Sequence, residues 1–140
     1  MRNWFGLLGI VFLMIGCKQS NSDDLGLGPG LASFETFYEK FHRDSVYQME
    51  HITFPLQGLP GNYKNKTDYS PDFRWTTQNW NLNKPLDLEA THFVRSFIAV
   101  SDELIIEKLQ FESGEYGMER RFSLMNGEWM LIYYAGINPL

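Results

Sequence analysis

Cysteine is almost missing from this chain. Cys17 is the sole thiol, so no internal disulfide can form and the fold must be held by its apolar core. Histidine is nearly as scarce. His42, His51 and His92 do not stand in a zinc-type spacing with one another or with an acid, and on one continuous helix His42 and His51 would face opposite sides. No metal and no cofactor is therefore expected. A nucleophile elbow and a phosphate loop are missing as well. Positive charge is in deficit, with 12 basic against 17 acidic residues and a formal net charge of −5. That balance argues against nucleic acid as a partner and against electrostatic adhesion to anionic lipid. Long apolar runs are missing apart from residues 4–16, a stretch shorter than the roughly 20 residues of a spanning helix.

That run is charge-free, follows the positive Arg2, and ends in small residues before a polar stretch at 18–24, which is the anatomy of an export signal. Met14-Ile15-Gly16-Cys17-Lys18 resembles a bacterial lipoprotein cleavage site, departing from it at Met14, where leucine is usual. The resemblance implies that residues 1–16 are a signal peptide and that Cys17 becomes the lipid-bearing N-terminus, its sulfur being the nucleophile that takes the thioether. It also implies a lipid-anchored protein of the bacterial cell envelope, in the outer membrane and facing the periplasm or the surface. A cleaved secretory signal with an incidental cysteine and a retained short anchor are the other readings. Residues 17–30 carry Gly, Ser, Asn, Asp and Pro without apolar periodicity and are expected to be a flexible tether. Residues 31–140 then form one domain, since such a length supports one core.

What the chain does have is aromatic residues: 11 Phe, 7 Tyr and 4 Trp. Phe34, Phe37, Tyr38 and Phe41 recur at the spacing of one helix face, with Ser33 as its expected cap. Asp44-Ser45 predicts a break that caps a second short helix over 46–51, and Pro55 directs 52–56 to extended structure. Residues 57–83 are rich in Gly, Pro and Asn turns, with a short strand at 73–75 and one capped turn ending at Trp80. Four strands are expected at 90–100, 103–111, 116–125 and 128–135. Asn126-Gly127 is a strong two-residue hairpin signal between the last two. Helices followed by such a meander predict an α+β domain with a helix pair packed on a curved antiparallel sheet.

This order, closing with Asn126-Gly127-Glu128-Trp129-Met130-Leu131, resembles the nuclear-transport-factor-2-like (cystatin-like) cone. The block from Phe34 through Phe37, Phe41, Asp44-Ser45 and Gln48 to Ile52-Thr53-Phe54-Pro55-Leu56, with Trp75, Trp80 and the hairpin, resembles more narrowly a family of small bacterial lipoproteins of unknown function. That family implies no catalytic residue here.

Strand alternation sets Arg120 among Met118, Phe122 and Leu124, Arg95 among Phe93, Phe97 and Ala99, and Glu107 among Ile105, Leu109 and Phe111. A charge on an apolar face must be paired or solvated. One reading pairs these three with each other or leaves them at a rim, and a bulge would dissolve the pattern. The other is a pocket for a small anionic or mixed polar and apolar molecule, with Arg95, Arg120 and Glu107 as its polar groups and Trp75, Trp80 and Tyr133 as walls. A binding module is expected over an enzyme. A cone-fold isomerase or dehydratase would need Glu107, Asp102 or His92 as base. The third class is an interaction module, in which an apolar sheet face meets an envelope protein or a second copy as a homodimer.

Overall fold

The computed structural model describes residues 31–61 and 72–137. The expected signal peptide, Cys17, the tether and the polar stretch at 63–70 lie outside them. The first helix, α1 (Ala32–Arg43), buries Phe34, Phe37, Tyr38 and Phe41, the face that the spacing predicts. It begins earlier than a Ser33 cap would allow. Leu31 occupies the capping position without a side-chain bond, and Ser33 Oγ accepts a hydrogen bond from Trp129 Nε1 at 3.2 Å. Asp44 ends α1 and caps α2 (Ser45–Glu50), its Oδ1 accepting from the Val46 and Tyr47 amides at 3.0 Å each. That carboxylate satisfies donors that a helix start leaves open.

Six strands form one sheet: β1 (Ile52–Leu59), β2 (Arg74–Trp75), β3 (Phe93–Ser101), β4 (Leu104–Phe111), β5 (Gly117–Met125) and β6 (Glu128–Ile137). Their spatial order is β2-β1-β6-β5-β4-β3. The last four are the expected antiparallel meander. Asn126 and Gly127 both take positive φ, 53° and 86°, as a tight hairpin between twisted strands requires. The sheet as a whole is mixed, because β1 runs parallel to β6. The strand expected at 90–100 starts later. Asp87 caps a short α3 (Leu88–Thr91) by accepting from the Ala90 amide, and His92 turns the chain into β3 through a left-handed φ of 57°.

α1 lies across the face of the meander that carries Phe97, Ile105, Phe122 and Leu131. Phe34 is its centre, with ring centroids 5.3 Å from Phe122, 5.0 Å from Trp129 and 6.0 Å from Phe97. Phe34, Phe41, Phe122, Ile105 and Leu131 are all fully buried, each contributing about 1.5–3 kcal/mol of transfer free energy. Among the described residues no helix is long and apolar enough to cross a membrane.

Gly58 tests the seam between β1 and β6. Its φ is +150° and an added Cβ would lie 1.7 Å from the Tyr134 carbonyl oxygen. Gly114 also has positive φ, 75°, but nothing lies within 4 Å of its missing Cβ. Gly58→Ala is expected to cost about 2–4 kcal/mol and Gly114→Ala about 1–2 kcal/mol. Denaturant melts of the two variants measure the difference, and equal losses would mean that the seam relaxes freely.

Candidate functional site

The three meander charges meet. Cross-strand register places Glu107 on β4 beside Arg120 on β5, with Arg95 one step away on β3. Glu107 is fully buried. Its Oε1 accepts from Arg120 Nη2 at 3.0 Å and from the Tyr38 hydroxyl at 2.6 Å. Oε2 lies 2.7 Å from Arg120 Nε, an approach off the hydrogen-bond line that leaves both atoms without a formal hydrogen bond. Coulomb attraction has no such angular demand, so the ion pair stands. Arg95 Nε is 3.4 Å from Oε1.

α1 closes the cluster from above. Tyr38 and His42 are four residues apart and therefore share a face. Arg120 Nη1 donates to His42 Nε2 at 2.6 Å and to Asn83 Oδ1 at 3.2 Å. A guanidinium has no acceptor. His42 is thus neutral, with its proton on Nδ1, which donates to the Tyr38 carbonyl at 2.8 Å. Gln48, also buried, donates to the Phe41 and Asn83 carbonyls at 2.7 Å each and accepts from the Asn83 amide. The two helices and the 83 segment are locked to the sheet through polar groups.

The electrostatics follow from this packing. Burial raises the Tyr38 phenol well above its usual range, opposed by Arg120 and Arg95 and reinforced by Glu107, so it stays a donor. Burial pushes His42 down to about 3, with the Arg120 charge acting in the same direction. For Arg120, burial works against the charged form, but Glu107 and its hydrogen bond outweigh it and the pKa is raised. With His42 and Tyr38 neutral, two guanidiniums face one carboxylate.

The two arginines differ. Arg120 spends its nitrogens on Glu107, His42 and Asn83 and its side chain is 4% exposed, so the donor expected to face a ligand is engaged within the fold. Arg95 makes no hydrogen bond among the described residues, its Nε is buried without one, and 17% of its side chain reaches solvent.

The expected walls also separate. Trp75 and Trp80 meet edge to face at 5.8 Å and both pack on Tyr134, at 5.4 and 5.2 Å. Trp75 Nε1 donates to the Tyr134 carbonyl at 3.0 Å. They join the flank of the core. Tyr133 is placed differently from expectation: a register irregularity after Arg121 gives β6 one extra residue, so Tyr134 opposes Arg120 and Tyr133 opposes Arg121. Arg121 sits 4.4 Å from the Tyr133 ring centroid, on the far face of the sheet. Tyr38 was expected as core and His42 was weighed only as a metal ligand, and neither these two nor Asn83 and Tyr134 were expected at the site. The i, i+4 pair on the apolar helix face was the one signal for the first two.

The remaining histidines stand apart. His51 stacks on Tyr47 at 3.7 Å, and exposed His92 lies 3.6 Å from Glu112. Among the described residues no three His, Cys, Asp or Glu side chains cluster to hold a metal ion.

No protein-family model matches the chain, and no curated protein matches it in sequence. Solved structures do. One is a protein from Bacteroides uniformis ATCC 8492, with 19% identity and a TM-score of 0.54 over 76% of this chain and 78% of that one. A cystatin-like protein from Bacteroides caccae ATCC 43185 gives 21% and 0.54 over 73% and 74%. A nuclear-transport-factor-2-like protein from Bacteroides fragilis NCTC 9343 gives 12% and 0.52 over 79% of this chain and 48% of that one, so the chain spans about half of its length. At such identities the likeness shows the fold, a cystatin-like, nuclear-transport-factor-2-like α+β cone.

Glu107→Gln would leave the buried Arg120 guanidinium and the partly exposed Arg95 without a counter-charge and is expected to cost about 3–5 kcal/mol, read from denaturant melts; a loss below about 1 kcal/mol would mean that water already neutralises the cluster. The second expectation concerns pH. The folded pKa of His42 is depressed, so the stability it carries is full above the ordinary histidine value near 6.5 and is lost as pH falls toward about 3. Facing it are Tyr38, Arg95, Glu107 and Arg120. Between pH 7 and pH 4 the loss is on the order of 2–3 kcal/mol, and His42→Gln, which keeps an acceptor for Arg120, should flatten it. An unchanged acid slope in that variant would assign the loss to carboxylates.

Proposed function

We propose that this chain is a lipid-anchored protein of the bacterial cell envelope that binds a small molecule or an envelope partner through the polar cluster between its first helix and the sheet. The observation that carries the binding half is the charge imbalance: Arg95 and Arg120 against Glu107 alone, with Arg95 Nε buried and lacking a hydrogen bond. Apolar residues of similar volume commonly stabilise such a layer as well as a buried ion pair does. A second guanidinium beyond the one that Glu107 neutralises favours an anion that it meets. Catalysis is disfavoured by the same geometry. Glu107 is enclosed by Tyr38, Arg95 and Arg120, while Asp102 and His92 stand exposed and away from the cluster.

The anchoring half rests on Cys17 and the apolar run before it. A second reading, association with another copy, draws on Val94 and Ile98, exposed at 58% and 45% on the outer face of the edge strand β3.

Native mass spectrometry of residues 25–140, purified gently from cells, tests the binding half. Extra mass that leaves on denaturation is the expected result, a bare monomer counts against it, and a bare dimer favours the second reading. For the anchor, Cys17→Ser is expected to release the protein from membranes or block its processing. Unchanged membrane retention would sink lipidation.

A further inference from the structure

We infer that the surface beside Arg95 takes a monoanionic carboxylate bearing an apolar tail, such as a medium-chain acyl acid or an aryl acid. This rests on the binding reading above and names its ligand class. The space directly under α1 belongs to the core itself, since Phe34, Phe37, Phe41 and Phe122 are 0–5% exposed there. Beyond the end of α1 the same sheet face continues. Arg95, Leu109 and Met118 form one cross-strand row and Phe93 and Phe111 the next. Tyr116 stacks on Phe111 at 4.8 Å and 16°. All lie outside the main core cluster; Leu109 is buried, Phe93, Phe111 and Met118 are half-buried, and Tyr116 is 41% exposed.

An apolar wall thus adjoins a guanidinium that its neighbours leave under-used. Arg120 gives hydrogen bonds to Glu107, His42 and Asn83, whereas Arg95 has one ionic contact at 3.4 Å, faces the Tyr38 ring at 5.6 Å and makes no hydrogen bond among the described residues. A planar fork with free N–H groups receives a carboxylate in two parallel bonds. Charge selects the anion. The cluster carries one net positive charge, with His42 and Tyr38 neutral, so a single negative charge balances it. A phosphate monoester, near two negative charges at neutral pH, would leave excess charge beside buried Glu107. The tail would lie along Phe111 and Tyr116, displacing water from apolar area.

Calorimetric titration of the purified full chain with octanoate, octanamide and octyl phosphate tests this. Octanoate is expected to bind about tenfold or more tightly than octanamide, and Arg95→Gln to remove that preference. Phe111→Ser should weaken octanoate and octanamide alike, by about fivefold. Melting curves verify folding; should Arg95→Gln fail to fold, Arg95→Lys keeps the charge beside Glu107, loses the fork, and should still weaken octanoate several-fold. Equal binding of octanoate and octanamide, preference for octyl phosphate, or full octanoate affinity in every Arg95 variant that folds would overturn the inference. If a co-purified ligand survives Arg95→Gln, the ligand class assigned here is wrong and the binding module stands. If no probe binds and no ligand co-purifies, both fail.

Discussion

A fully buried carboxylate sets the terms for this domain. Glu107 sits in the middle of a sheet face otherwise made of Ile105, Leu109, Phe97 and Phe122, where an isolated charge would not survive. Its neutralisation needs β3 in register to bring Arg95, β5 in register to bring Arg120, and α1 rotated so that the Tyr38 hydroxyl reaches the carboxylate. The requirement propagates outward. Arg120, drawn in by Glu107, has donors left over, and His42 and Asn83 take them. Asn83 is in turn held by Gln48 of α2. One acid therefore couples three strands, two helices and a loop, whereas apolar packing alone would tolerate small slips among them.

The same cluster divides the concave face into two regions. On one side of it, phenylalanines from α1 and the sheet interlock at ring distances of 5–6 Å. On the other, Phe93, Phe111, Tyr116 and Met118 are apolar but lie outside the main cluster. Polar groups at the boundary close off the first region, with Arg120 held by Glu107, His42 and Asn83, whereas in the second Tyr116 is exposed. That asymmetry leaves one arginine engaged inside the fold and the other partly open to solvent.

The elements were mostly legible from local chemistry. The Phe34, Phe37, Tyr38 and Phe41 spacing marked both α1 and its buried face, Asp44 marked the break and cap, and Asn126-Gly127 marked the hairpin. These depend on side chains within a few residues of each other, so composition and periodicity carry them. Failures fell where a local signal met a competing one. Ala90 and Thr91 have strand neighbours but follow the Asp87 cap into a helical turn, and Ser33 yields its capping role because α1 starts at Ala32.

For the site, alternation along β3, β4 and β5 determined by itself that Arg95, Glu107 and Arg120 share a face with apolar residues and must be paired or solvated. Their sharing of one carboxylate was decided by register, which joins residues far apart in the chain through backbone pairing. Tyr133 shows the limit most plainly. A single extra residue in β6 exchanges it with Tyr134, since side chains alternate with a period of two, and nothing in Leu131-Ile132-Tyr133-Tyr134 announces a bulge. The sequence alone determined which segments bury an apolar face, because that is a local property of spacing. Only the tertiary structure decided which arginine is spent and which is left over, because that depends on donors and acceptors delivered by distant strands and helices.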